Sequence, residues 1–139
     1  MLINLLMILF LQSLKPEAKI TFIAGFSFGA WIGMQLLMRR PEASGFISVA
    51  PPANMYDFSF LAPCPSSGLI INGDNDKVAP MADTEKLVEK LKTQKGIEIT
   101  HDIVPGANHF FEKDMDEMIG RVDRYVADRM VGLRAALEE

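Results

Sequence analysis

The sequence predicts an α/β fold, a mostly parallel sheet of about four strands with flanking helices. Three observations predict it. Short β-rich apolar runs alternate with longer helix-like segments along the chain. The first of these runs is apolar on both faces, as a strand covered by helices on either side is. The residues with the most chemistry, Ser27, the pair Asp74 and Asp76, and His109, each follow a predicted strand. In open parallel sheets the loops leaving the carboxyl ends of the strands build the site.

Taken in order, "MLINLLMILFLQSL" comes first. Its apolar core of about ten residues is too short for a bilayer span, which takes about 20. No Lys or Arg precedes it and no small-x-small cleavage pattern follows, so it does not read as a secretory signal. The reading is a helix, "LLMILFLQSL", buried in the fold or covered by a partner, and membrane association is not expected. "KITFIAG" (19–25) is the first strand. Residues 28–38 are apolar on nearly all sides and read as a deeply buried helix ending at Pro41. "GFISVAP" (45–51) is the second strand, and a long Pro- and Phe-rich loop leads to a third, "GLIING" (68–73). Residues 80–95 form an amphipathic helix with Leu87 and Leu91 on one stripe. "IEITHDIV" (97–104) alternates as an outer strand does, and a terminal helix occupies about Lys113 to Leu137.

Composition narrows the function classes. The 139 residues suit one domain, 1–139, with 49% hydrophobic and 23% charged residues, a globular balance. A net charge of −4 argues against a nucleic-acid binder that tracks phosphates, because neutralising them needs a Lys/Arg surplus. Arg39 and Arg40 fall where a helix ends and there complement its dipole. The single cysteine, Cys64, excludes an internal disulfide and points to a reducing, cytoplasmic compartment, where it reads as a packed loop residue.

"GFSFG" (25–29) carries the sharpest signal. If the chain reverses from strand to helix at Ser27, the residues two before and two after approach one another, so only small side chains fit. Gly25 and Gly29 stand there. Such a turn lifts the hydroxyl above the sheet and lets the backbone N–H of Phe28, at the helix start, face an oxyanion. The plainer alternative is a glycine-rich turn with a helix-capping serine. A serine nucleophile also needs a base and an acid to orient it. "GDNDKVAP" offers Asp76, with Val78 and Pro80 behind it, or Asp74, which sits beside Gly73 where Asp caps turns. "VPGANHFF" offers His109; His101 lies within an alternating strand, where solvent exposure explains it.

The order Ser27, Asp76, His109, with "GFSFG" on a strand–helix turn and "GANHFF" before a terminal helix, resembles the α/β-hydrolase superfamily over residues 19–130. It is most similar to compact bacterial hydrolases of the dienelactone-hydrolase and prolyl-peptidase-like groups. The resemblance implies the C-terminal half of an α/β-hydrolase fold. It makes Ser27 the nucleophile, His109 the general base and acid, and Asp76 the acid orienting the imidazole. It implies a small ester, thioester or amide substrate, with no cofactor or metal. Dienelactone hydrolases carry cysteine where Ser27 stands, and the serine points to ordinary acyl transfer.

The same resemblance places several strands before the nucleophile strand, with a loop that gives a second oxyanion donor. Only 26 residues precede Ser27, and none resembles that loop. An N-terminally truncated domain is therefore expected, and a catalytically impaired remnant or scaffold is the alternative to an active hydrolase. A flavodoxin-like ligand binder is a third class, but "GFSFGAWIG" lacks the spacing and the Lys of a P-loop. Strand 19–25 would then be an unpaired edge, open to self-association. Phe26, Phe28, Phe110, Phe111, Tyr56, Phe58 and Phe60 flank the candidate residues or fill the second loop; they read as core more readily than as pocket.

Overall fold

In the computed structural model, which describes residues 8–12 and 20–138, five strands form one sheet. They are β1 (Ile8–Gln12), β2 (Thr21–Phe26), β3 (Gly45–Val49), β4 (Gly68–Gly73) and β5 (Ile99–Val104), adjacent in chain order. From β2 to β5 every pairing is parallel. Helix α1 (Phe28–Arg39) connects β2 to β3, α2 (Met81–Lys92) connects β4 to β5, and α3 (Met115–Glu138) follows β5. The link from β3 to β4 holds only a short 3₁₀ turn, Ser59–Leu61. The expected four-strand parallel sheet with flanking helices is present, and a fifth strand joins it.

That fifth strand corrects the sequence reading. Part of the segment expected to be a helix, Ile8–Gln12, is a strand antiparallel to β2, running from Ile8 beside Gly25 to Gln12 beside Thr21. The rest of "LLMILFLQSL" lies outside the described residues. A short apolar run does not separate helix from strand by its period. The outer edge of β2 carries backbone N–H and C=O groups that a helix on a sheet face leaves unpaired; a strand pairs them. For the same reason strand 19–25 is not an open edge: β1 covers one side of β2 and β3 the other. The expected route to self-association through it is closed.

Alternation along the buried strands divides the core between the two sheet faces. On one side Ile23, Phe46, Ile70 and Ile99 pack against Met34 and Leu37 of α1 and Leu87, Val88 and Leu91 of α2. On the other Ala24, Ile47, Leu69, Ile71 and Val104 meet Phe111 and the half-buried Met118, Val122, Tyr125 and Val126 of α3. Strands β3 and β4 are buried throughout, while the middle of β5 is half-buried, as its alternating sequence suggests for an outer strand. Helix α1 is less deeply enclosed than its composition implies. Ala30, Gly33, Met34 and Leu37 form its buried stripe, and Trp31, Ile32, Leu36 and Met38 are half-covered.

Arg121 fastens α3 to β5. Its guanidinium donates to Asp102 at 2.6 Å and to the Ile103 carbonyl at 3.1 Å, and to Glu117 one helical turn earlier at 2.9 Å. No helix of the described residues is long and apolar enough to cross a membrane.

Candidate active site

Strand β2 turns into α1 through one residue. Ser27 takes φ 55° and ψ −120°, the left-handed side of backbone space that costs a non-glycine residue about 1–3 kcal/mol. Its N–H donates to the Val49 carbonyl at 2.8 Å, which anchors the turn to β3. A Cβ on Gly25 would run into the backbone carbonyl of Gly29, so the close approach inferred from the G-x-S-x-G spacing is real and Gly25 is required by it. Ser27 occupies the N-cap position, yet its hydroxyl caps nothing in the helix. It turns instead to His109.

His109 Nε2 lies 2.8 Å from Ser27 Oγ, and Nδ1 lies 2.7 Å from Asp76 Oδ2. All three residues are buried, with 2%, 2% and 6% of Ser27, His109 and Asp76 exposed. A carboxylate only accepts hydrogen bonds, so in the neutral imidazole Nδ1 carries the proton and donates to Asp76. Nε2 is left as an acceptor for the Ser27 hydroxyl. The other carboxylate oxygen of Asp76 accepts the N–H groups of Val78 and Ala79 at 2.9 and 2.8 Å, so the turn after it holds the acid in place.

Asp74 does not meet the imidazole. Its carboxylate accepts the N–H of Gly106 at 2.6 Å, and Asn75 N–H donates to the Ala107 carbonyl at 3.0 Å. Asp74 thus stitches the loop after β4 to the loop that presents His109, rather than closing its own turn. Gly73 makes room for that seam, since a Cβ there would collide with the Ala107 carbonyl. His101 sits elsewhere, on β5, with Nε2 donating to Asn72 Oδ1 at 2.7 Å. It is half-buried rather than exposed, and burial foremost holds its imidazole below the ordinary histidine range. Cys64 is buried, its thiol donates to the Ser66 carbonyl at 3.4 Å, and burial pushes the thiol up.

Phe28 opens α1 directly after Ser27, where the first N–H groups have no acceptor within the helix. Among the described residues two further non-glycine residues adopt positive φ, Ala50 at the end of β3 (50°) and Phe111 after His109 (53°). All three strained positions lie on segments leaving the carboxyl ends of strands, and the composition of Ala50 and Phe111 carries no signal of it. The loop after β3 folds back onto α1. Tyr56 and Trp31 stack with ring centroids 4.8 Å apart, and both lie near the Phe28 ring. A cavity of about 420 Å³ lies behind this loop, between Phe58, Leu61 and the Leu87–Leu91 stripe of α2, away from Ser27 and sharing only its Tyr56 wall with this cluster. Among the described residues no cluster of His, Cys, Asp and Glu is arranged to hold a metal ion.

A parallel sheet with a serine on the turn from strand to helix, and an acid and a histidine on later turns of the same edge, places this protein among the α/β serine hydrolases. The chain belongs to the dienelactone hydrolase family, whose model it matches over residues 5–132. It is 67% identical to an Agrobacterium tumefaciens protein of unknown function put forward as an α/β hydrolase. The two folds superpose with a TM-score of 0.82, covering 84% of this chain and 54% of that one. It is 32% identical to a Xanthomonas campestris α/β serine hydrolase without a lid, with a TM-score of 0.68 over 77% of this chain and 46% of the other. An uncharacterised protein of Rickettsia prowazekii is 47% identical over 120 residues, 84% of this chain and 50% of that protein. The chain thus spans about half the length of these relatives.

Proposed function

We propose that this protein is a serine hydrolase that cleaves a small ester, thioester or amide through a Ser27–His109–Asp76 triad. One observation carries the reading. Three buried side chains, 33 and 82 residues apart in sequence, form a single hydrogen-bonded line from hydroxyl to imidazole to carboxylate. Structural polar groups in a core are satisfied in many ways; a strained turn that holds a hydroxyl out of its own helix cap and against an imidazole supports a reactive role.

In this reading His109 Nε2 takes the Ser27 proton as Oγ bonds to the substrate carbonyl carbon. The carbonyl π electrons move to oxygen, and the Phe28 N–H accommodates the resulting oxyanion. Collapse re-forms the carbonyl and breaks the bond to the leaving group, which receives the proton from His109. Water then repeats both steps on the acyl-serine, releasing the carboxylic acid and restoring Ser27. Asp76 keeps the imidazole in the tautomer that can accept at Nε2 and stabilises the imidazolium that forms. We read residues 1–139 as one domain acting in the cytoplasm, where Cys64 stays reduced.

Turnover of p-nitrophenyl butyrate by the purified chain tests this. Ser27→Ala is expected to lower kcat by about 10⁶-fold, to the level of the oxyanion donor and binding alone. Equal turnover by the variant would refute the assignment. A folded wild-type chain with no turnover would favour the scaffold alternative.

A further inference from the structure

The surroundings of Ser27 are not symmetric. Phe26, on one side of it in sequence, joins Phe110 around the imidazole, with ring centroids 5.3 and 5.0 Å from His109. Phe28, on the other side, belongs to a separate group, 5.6 Å from Trp31 and 5.3 Å from Tyr56. This second group is held firmly. The Trp31 indole N–H donates to the Asp57 carbonyl at 3.0 Å, and the Asn54 amide donates to the Val78 carbonyl at 3.0 Å. The latter bond ties the loop carrying Tyr56 to the loop carrying Asp76. The group is also partly open to solvent, with Tyr56 36% exposed and Phe28 and Trp31 half-buried, whereas Ser27, Asp76 and His109 are buried. Large apolar side chains fixed in place and left wet beside buried polar groups form a surface suited to an apolar ligand.

The chemistry of acyl transfer separates the two sides. The leaving group takes its proton from His109 and therefore departs on the histidine side. The carbonyl oxygen faces the Phe28 N–H. The acyl chain, the remaining substituent of the carbonyl carbon, is directed away from the imidazole, and Phe28, Trp31 and Tyr56 form the aromatic group that does not pack on the imidazole.

We propose that Phe28, Trp31 and Tyr56 receive the acyl group of the substrate and select an extended apolar acyl chain over acetyl, an inference that rests on the serine-hydrolase reading. Tyr56 is the specificity-determining residue best placed for a test, because it is the most exposed of the three rings and belongs to no part of the hydrogen-bonded line.

The full chain is assayed with p-nitrophenyl acetate, butyrate and hexanoate, alongside Tyr56→Ala and Tyr56→Phe. In the wild type kcat/KM rises at least about tenfold from acetate to hexanoate, within the range that added methylenes contribute in an apolar pocket. Tyr56→Ala lowers that hexanoate-to-acetate ratio by about tenfold, and Tyr56→Phe, which keeps the ring, retains it. A wild-type ratio near one, or an unchanged ratio in Tyr56→Ala, overturns the proposal while leaving the hydrolase reading intact. Absence of both turnover and fluorophosphonate labelling at Ser27 removes the hydrolase reading and this inference with it. Trp31, the sole tryptophan of the chain, gives a readout that does not depend on catalysis or on Tyr56→Ala folding. Titrating Ser27→Ala with hexanamide should produce a saturable change in its emission that acetamide does not, and identical responses to the two amides overturn the proposal.

Discussion

At Asp76 two jobs meet in one carboxylate. Oδ2 faces His109, and Oδ1 accepts the Val78 and Ala79 N–H groups. Asp76→Asn keeps an oxygen for the two backbone donors but turns an NH₂ toward Nδ1, which selects the tautomer with Nε2 protonated and unable to accept from Ser27. Ester turnover should fall by about 10⁴-fold, while thermal denaturation shows a stability change under about 1 kcal/mol. Asp76→Ala loses both jobs, leaves the buried Ala79 N–H without its acceptor, and should cost a further ~1–3 kcal/mol. His101 shows a different consequence of burial. Its folded-state pKa is lowered, first by desolvation and then by Lys92, with Glu85 and Asp102 opposing. The folded protein therefore binds the proton less readily than the unfolded chain. Stability is full above the ordinary histidine pKa of about 6.5 and is lost as pH falls through the lower folded-state value. Melting temperatures measured from pH 7.5 down to 5 should fall less steeply in His101→Gln than in the wild type; parallel curves would show that His101 does not contribute.

Elements whose identity rested on two independent signals were legible in the sequence. Strand β4 coincides with "GLIING" because a six-residue apolar run is bounded by a glycine and an Asp-rich turn. Helix α2 was legible because Leu87 and Leu91 mark a stripe while its Glu and Lys residues face water. Strand β1 was not, because its pairing depends on the edge of β2, which no local pattern of residues 8–12 reveals. The strand–helix turn was the most legible part of the site, since its glycines answer a steric demand. The aromatic wall was least legible, because Trp31 and Tyr56 meet only when the loop after β3 folds back over α1. Gly25→Ala should destabilise the fold by about 1–3 kcal/mol through overpacking and abolish ester turnover, since Gly29 must move to admit the Cβ. Gly120→Ala on α3, where a Cβ meets nothing within 4 Å, should instead stabilise by up to ~1 kcal/mol. Denaturant melts of the two variants separate a glycine demanded by close approach from one that is merely tolerated.

For the molecule as a whole, the sheet order brings four consecutive parallel strands to one carboxyl edge, and the site is assembled there from the loops after β2, β4 and β5. The seam between the last two loops, Asp74 to Gly106 and Asn75 to Ala107, explains how His109 crosses back from the outer strand to reach Ser27 on the turn after β2. Because β1 and β3 flank β2, placing a charge by Thr21→Lys should not change the oligomeric state measured by light scattering. A shift toward monomer would show that β2 is an exposed pairing edge after all. The central claim is that this assembly makes Ser27 a nucleophile, and mass-spectrometric site mapping after exposure to a fluorophosphonate tests it most directly. One covalent adduct is expected, on Ser27 alone among the serines, and His109→Ala should slow its formation by at least about 10²-fold, the lower end of what a general base contributes. Labelling spread over other serines, or an equal rate in His109→Ala, would contradict the account.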